Sequence, residues 1–236
     1  PASHSEVATR AVIADSTLPP MKQFAQARPT APHVSNAALA EDFLDLSFRM
    51  ESGRALRVLT RFEGPIALRV LGQPPATLGP DLARLLARLR REAGMELREI
   101  TGGEASITIQ AVNRSQIRRL LPQAACFVVP NVSTLEEYRR TRRSAATDWT
   151  RLTERRKLAI FLPNDVSPQE SRDCLHEELA QALGPLNDLY RLPDSVFNDD
   201  NVHTVLTGFD MLVLRIYNDP ALRSGMTRDE VAARLP

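Results

Sequence analysis

The sequence predicts an α+β fold in which a twisted mixed sheet is packed against helices. Two observations lead to this prediction. Short apolar stretches bounded by Gly, Pro and polar residues recur through the first two thirds of the chain, as is typical of buried strands. Apolar residues at helical spacing recur between and after them, most clearly at residues 79–94, 168–183 and 205–218.

Length and composition predict one folded domain preceded by a tail. A chain of 236 residues with 43% hydrophobic residues can bury one substantial core. Residues 1–36 are rich in Ala, Ser, Pro and Thr and show no period that persists, which predicts a flexible linker left after a leader was removed. The single domain is then expected over residues 37–236.

The charge balance disfavours a nucleic-acid partner. With 30 Lys and Arg against 29 Asp and Glu, the net charge is +1, and the basic run at residues 139–143 has no aromatic residues interleaved. We therefore expect no nucleic-acid partner. No stretch approaches the roughly 20 apolar residues that a bilayer-spanning helix needs.

The first elements of the domain are read from their periodicity and stop signals. Residues 37–50 predict a helix that packs on the next elements of the chain. Residues 56–72 alternate on both sides of Gly64–Pro65, which predicts a hairpin or one long bent strand. Residues 79–94 have Pro80 at the expected start of a helix and Gly94 at its expected end, so an amphipathic helix is predicted there.

The middle of the domain supplies the remaining predicted strands. Residues 133–156 lack a clear pattern and are predicted to be helical or irregular. The expected strands are "MELREI", "ASITIQAV", "CFVVP" and "KLAIFLP", at residues 95–100, 105–112, 126–130 and 157–163.

The helix at residues 168–183 has well-marked ends. Ser167 and Glu170 form a capping-box pattern around a proline at the first helical position. Gly184 followed by Pro185 predicts termination, with the glycine in a left-handed conformation.

This helix also carries the spacing of a zinc-protease motif. A register beginning at His176 fails, because Ala180 would stand where the second ligand is needed. Moving one residue along gives Glu177-Glu178-x-x-Gln181-x-x-Gly184-x-x-Asn187, which matches H-E-x-x-H-x-x-G-x-x-H position by position. In that register the stretch resembles the active-site helix of the metzincins.

The metzincin resemblance implies roles for further residues. Glu177, Gln181 and Asn187 stand where the three zinc ligands would be, Asp188 is an additional candidate ligand, and Glu178 stands where the general base would be. The resemblance further implies a supporting turn beneath the metal at Ser195-Val196-Phe197, with Phe in place of Met, and a closing helix at about residues 205–218.

A second resemblance rests on three stretches, "CLHEELAQALGPLND", "PDSVFND" and "YNDPALRSGM". They are similar to the bacterial domain of unknown function 2927 family, whose members are often described as lipoproteins. This resemblance implies an exported protein but brings no established activity.

The substitutions at the ligand positions change the expected metal chemistry. Imidazole and thiolate bind zinc well, whereas amide oxygens are weak ligands, so we expect no tight zinc and no other cofactor. Two weaker alternatives stay open, namely a site that uses His176 and His203 and a calcium site made of hard oxygen ligands. The oxygen-rich set is Glu177, Asn187, Asp188, Asp194, Asn198, Asp199 and Asp200.

The two cysteines, Cys126 and Cys174, each lie in an apolar stretch. They could be buried free thiols, but an exported chain with two cysteines favours a disulfide between them.

Two functions are consistent with these observations. The favoured hypothesis is an exported metzincin-like domain without peptidase activity, located in the periplasm or another extracytoplasmic space with or without a lipid anchor. It would serve as a structural module or bind a protein, peptide or envelope component through the altered cleft. The alternative is an atypical metal-dependent hydrolase with Glu178 as general base and a non-standard set of zinc or calcium ligands.

Overall fold

A computed structural model describes residues 8–11, 34–198 and 203–235 of the chain, and it confirms the α+β class. The strands of the described part are β1 (Ala8–Ala11), β2 (Ile66–Gly72), β3 (Leu97–Glu99), β4 (Ile107–Val112), β5 (Ala124–Pro130) and β6 (Leu158–Pro163). The helices are α1 (Asn36–Ser47), α2 (Leu78–Glu92), α3 (Arg114–Leu120), α4 (Leu135–Thr141), α5 (Pro168–Leu183), α6 (Gly208–Tyr217) and α7 (Arg228–Ala232).

The described strands form one mixed sheet in the order β1-β5-β6-β4-β2-β3. Strands β3, β2, β4 and β6 are parallel to one another, and β5 runs antiparallel to β6. Strand β1 lies antiparallel on the outer side of β5. The parallel part needs crossover connections, which α2 and the long segment between β4 and β6 provide.

Both faces of the sheet are covered, and strand β6 shows how. Its residues Leu158, Ile160 and Leu162 point into a large core shared with α1, α2, α5 and α6. The alternate residues Ala159 and Phe161 point into a smaller core on the opposite face, against α3 and α4. A strand buried on both faces has no solvent-facing side, which explains why it reads as a continuous apolar run.

Helix α1 is shorter than predicted because the chain turns back on itself. It begins after Ser35, whose hydroxyl accepts the Ala38 amide, and it ends at Ser47 instead of residue 50. Residues 48–56 form a hairpin, in which the Met50 amide donates to the Arg54 carbonyl at 3.0 Å and the Leu56 amide donates to the Phe48 carbonyl at 2.9 Å. We call residues 48–56 the covering hairpin.

The predicted strand before Gly64 is wrong. Residues 57–65 lie outside the sheet and run beside the C-terminal segment, where the Leu59 amide donates to the Met226 carbonyl at 2.8 Å. Arg61 donates to the carbonyls of Asp219 and Leu222 at 2.7 and 3.1 Å. Alternation did not mark the buried positions here, because Thr60 and Arg61 are buried while Val58 and Phe62 are only partly buried. It also could not reveal that a distant segment supplies the hydrogen bonds.

Three short elements were not predicted from the sequence. Helices α3 and α7 each begin with a capping box, formed by Asn113 with Gln116 and by Thr227 with Glu230. Strand β1 lies within the segment expected to be a flexible linker, where the sequence shows no persistent strand period. Short elements carry too few residues for a period to be recognised.

The predicted disulfide is confirmed. Cys126 of β5 and Cys174 of α5 are bonded, and they are separated by 48 positions in the sequence. Both residues belong to the large core, so the bond joins the antiparallel strand to the helix after β6.

We predict that the Cys126→Ala, Cys174→Ala variant unfolds with a free energy about 3 to 4 kcal/mol lower than that of the oxidised protein, because the bond restricts the unfolded chain. Urea unfolding with and without reductant measures this difference. Reductant should lower the stability of the natural chain and leave the variant unchanged, and equal stability of the two oxidised proteins would contradict the prediction.

Candidate functional site

The ends of α5 are set locally, as the sequence predicts. The Ser167 hydroxyl accepts the Glu170 amide at 3.2 Å, and the Glu170 carboxylate accepts the Ser167 amide at 2.9 Å. At the other end the conformation differs from the prediction, because Gly184 has φ −144° and is not left-handed. A Cβ at this position would lie 2.6 Å from Leu214 Cδ2, so the glycine allows α6 to pack against the end of α5.

Almost the whole of α5 is buried, including its polar side chains. Leu175 and Leu179 contribute to the large core, as an amphipathic helix would. However, Glu178 and Gln181 are both 0% exposed, and His176 and Glu177 are also buried. A helix that is buried on all sides must satisfy its polar groups inside the protein.

Gln181, at the second ligand-equivalent position, contacts the covering hairpin. Its amide nitrogen donates to Glu51 Oε1 at 2.6 Å. The Glu51 backbone amide in turn donates to the Leu186 carbonyl at 3.1 Å, just beyond the end of α5. The covering hairpin is therefore held against the C-terminal end of α5 by two contacts of Glu51.

Asn187, at the third ligand-equivalent position, contacts α1. Its side-chain nitrogen donates to the Asp45 carbonyl oxygen at 3.0 Å, and the residue is 8% exposed. The neighbouring candidate ligand Asp188 is half-buried. Gln181 and Asn187 thus direct their amide nitrogens towards two different segments, the covering hairpin and α1.

Glu177 and Glu178 occupy the side of α5 that faces β5. They lie three and four residues after Cys174, so they share its helical face, and Cys174 is bonded to β5. Both carboxylate oxygens of Glu178 are inaccessible to solvent. Strand β1 pairs with β5, and its backbone also approaches α5.

The remaining oxygen candidates lie in the loop after α5. The Asp194 side chain is largely exposed, and the Asn198 amide donates to the Leu192 carbonyl at 3.0 Å. Asp199 and Asp200 lie outside the described residues. Within residues 8–11, 34–198 and 203–235, no three His, Cys, Asp or Glu side chains lie together in a way that could hold a metal ion.

The two histidines make separate backbone contacts. His176 Nδ1 accepts the Leu206 amide at 3.1 Å, whereas His203 Nε2 lies 3.0 Å from the Pro193 carbonyl oxygen. Burial, together with the positive charge of Arg88, lowers the pKa of His176 to about 3. The ring is therefore neutral at pH 7 and carries its proton on Nε2, which leaves Nδ1 as the acceptor.

The turn at Ser195-Val196-Phe197 is tied to the start of α6. The Ser195 hydroxyl donates to Asp210 Oδ1 at 2.6 Å, and the Val196 amide donates to Asp210 Oδ2 at 3.2 Å. Phe197 is fully buried in the large core. Burial raises the pKa of Asp210, although these hydrogen bonds and one from Thr207 act in the opposite direction.

Sequence reasoning missed the residue that completes the C-terminal end of α5. Arg155 is 1% exposed and donates to the carbonyls of Gln181 at 2.6 Å, Ala182 at 2.8 Å and Gly184 at 2.6 Å. Its guanidinium lies over the rings of Trp149 and Tyr217, 5.2 and 5.8 Å from their centroids. Burial lowers the pKa of Arg155 to about 10, so the group remains charged at pH 7.

The fold and this region together define an α+β protein built around a buried polar helix that a disulfide joins to the sheet. Within the described residues, no helix is both long enough and apolar enough to cross a membrane. The sequence model of the family described as "Protein of unknown function (DUF2927)" matches residues 36–236, so the chain belongs to that family. A search among curated proteins finds no match.

We predict that His176 makes the protein acid-sensitive. Because the folded state holds the pKa of His176 near 3, against an ordinary value of 6.5, the unfolded chain binds the proton more readily between these pH values. This contribution to stability is complete above about pH 6.5 and is lost as the pH falls towards about 3, by up to about 1.4 kcal/mol per pH unit.

In the His176→Asn variant the free energy of unfolding should depend less on pH between about 3 and 6.5. The amide oxygen of Asn can accept the Leu206 amide hydrogen bond without titrating. Urea unfolding at a series of acidic pH values measures the slope. His203→Asn, which changes the partly exposed histidine, is the matched control and should keep the slope of the natural chain. Equal slopes in the two variants would contradict the assignment.

We predict that Arg155→Met lowers the free energy of unfolding by about 3 kcal/mol or more, because it leaves several buried carbonyls without donors. Arg155→Lys should restore only part of the loss, since an ammonium cannot span the same carbonyls. Arg156→Met, at the exposed neighbour, is the control and should change stability by no more than about 0.5 kcal/mol. Comparable losses at both positions would show that Arg155 has no special role.

Proposed function

We propose that the chain is an exported module of the bacterial envelope that binds or organises another molecule without peptidase activity. In this proposal α5 is a metzincin-like helix that has become a structural element of the core. The proposal rests on the hydrogen bonds of Gln181 and Asn187. Their amide nitrogens donate to the Glu51 carboxylate and to the Asp45 carbonyl oxygen, respectively.

The chemistry of these two side chains supports the loss of the zinc site. An amide nitrogen that donates a hydrogen bond has no lone pair for a cation, and the amide oxygen is a weak zinc ligand. Glu51 belongs to the covering hairpin, so its contact with Gln181 holds that hairpin against α5. A peptide substrate would have to displace that hairpin.

The turn at Ser195-Val196-Phe197 supports the same proposal. Its hydrogen bonds to Asp210 order the loop beneath α5 and connect it to α6. The order of a long helix, further strands, α5, this turn and α6 is the order that the metzincin resemblance implies. In this proposal the turn is the counterpart of the metzincin supporting turn, and the three ligand positions carry other residues.

The disulfide supports an extracytoplasmic location. Cys126 and Cys174 are bonded, and disulfides persist in oxidising compartments such as the periplasm. Membership of a family whose members are often described as lipoproteins agrees with export. We propose a periplasmic or other extracytoplasmic location, with a lipid anchor ahead of the described domain as one form of attachment.

The competing function is an atypical metal-dependent hydrolase with Glu178 as general base. A general base must reach the water or substrate proton that it removes, directly or through one water molecule. Both carboxylate oxygens of Glu178 are shielded from solvent inside the core. This burial favours a structural role for Glu178 and weighs against the hydrolase.

We predict that the full chain, purified without chelator, contains no stoichiometric zinc and does not cleave unfolded casein in the presence of zinc or calcium. Elemental analysis and a fluorescent casein assay measure the two properties. Metal-dependent cleavage that disappears in Glu178→Gln, with the circular dichroism spectrum unchanged, would overturn the proposal.

A variant that restores imidazole at all three ligand-equivalent positions provides the matched control. If the scaffold is metzincin-like, Glu177→His, Gln181→His, Asn187→His should gain stoichiometric zinc in the same elemental analysis. A folded triple variant without zinc would contradict the metzincin-like geometry.

A further inference from the structure

A small open cavity lies beside the covering hairpin, away from the buried face of α5. Its volume is about 250 Å³. Its lining includes the apolar residues Leu44, Phe48 and Leu56, which we call the floor, and the arginines Arg49, Arg57 and Arg228, which we call the rim. Leu44 and Phe48 are buried members of the large core, so the floor is fixed by the fold.

The rim carries positive charge that the described residues only partly neutralise. Arg228 donates to Asp45 Oδ1 at 3.0 Å, and Arg191 donates to Asp45 Oδ2 at 2.7 Å. Arg49 and Arg57 are exposed and form no ion pair within the described part of the chain. Two guanidinium groups therefore stand available at the edge of an apolar cavity.

The covering hairpin holds the backbone at Arg49, and Arg57 follows directly after its second arm. Arg49 and Ala55 face each other as a bridge between its two arms, and the Leu56 amide donates to the Phe48 carbonyl at 2.9 Å. Glu51, at the tip, is anchored to Gln181 of α5. The contact between Gln181 and Glu51 thus anchors the hairpin whose first arm carries Arg49 and whose second arm leads into Arg57.

We propose that this cavity binds the C-terminal residue of a peptide, with its apolar side chain on the floor and its α-carboxylate between Arg49 and Arg57. The proposal rests on the proposed function of a binding module and names its ligand. Guanidinium groups suit carboxylates because they present parallel N–H donors in a plane.

Size and charge select this ligand over other anions. Pockets for drug-sized ligands commonly measure about 300 to 1,000 Å³, so this smaller cavity suits a single side chain. Asp45 also lines the cavity, and its negative charge disfavours a doubly charged phosphate. A peptide C-terminus joins one negative charge to an adjacent apolar group, which matches the rim and the floor together.

The test uses acetylated tripeptides and the full chain. Acetyl-alanyl-alanyl-leucine with a free carboxylate should shift the NMR amide signals of the covering hairpin. The corresponding C-terminal amide should bind about tenfold or more weakly, because it removes a charge-assisted hydrogen bond. The same peptide ending in glycine should also bind more weakly, because it leaves the floor empty.

The variants identify the site. Arg49→Gln, Arg57→Gln should abolish the difference between the acid and the amide, and both positions are exposed, so the melting temperature should not change. Arg90→Gln, at an exposed arginine of α2, is the matched control and should bind like the natural chain.

Three outcomes would overturn the proposal: equal binding of acid and amide, binding that survives in the double variant, or tighter binding of octanoate than of the tripeptide. These outcomes leave the broader binding-module function standing, whereas metal-dependent proteolysis would remove that function independently.

Discussion

The structure depends on the way the buried guanidinium of Arg155 completes helix α5. The last carbonyls of a helix have no partner within it, and here water cannot reach them because the helix is buried along its length. The guanidinium of Arg155 supplies the missing donors and places a positive charge at the negative end of the helix dipole. Trp149 and Tyr217 enclose the same group, so the irregular segment before β6 and helix α6 meet at one point.

Polar residues of α5 and of the loop after it hold distant segments of the chain in place. Gln181 holds the covering hairpin, Asn187, in the loop after α5, holds the end of α1, and His176 holds Leu206, two residues before the start of α6. Each contact joins parts of the chain that are far apart in sequence. Positions that resemble a catalytic motif thereby organise loops around the core, and the open surface beside them is shaped by the same contacts.

The sequence was informative wherever the determining interaction is local. The capping box at Ser167 and Glu170 fixes the start of α5, and the uniformly apolar β6 identifies a strand buried on both faces. Both features involve residues a few positions apart. The alternation at residues 56–72 predicted strand throughout, yet only the part from Ile66 onwards joins the sheet.

The rest could not be predicted because its causes are distant. Gln181 and Glu51 are 130 positions apart, and no local pattern indicates that they are bonded. Arg155 lies in a segment with several other arginines, so nothing in the sequence identified it as the buried one. The roles of the polar residues in α5 became visible only when the segments packed against them were known.

The position of β1 determines whether the edge of strand β5 is exposed. This strand lies before residue 36, where the family match begins, yet it supplies the outermost partner of β5. Strand β5 is almost entirely apolar. Without β1, its edge would present unpaired N–H and C=O groups that a strand of another chain could bind. Strand β1 therefore covers the backbone edge of β5, and a chain shortened to residues 36–236 would leave that edge exposed.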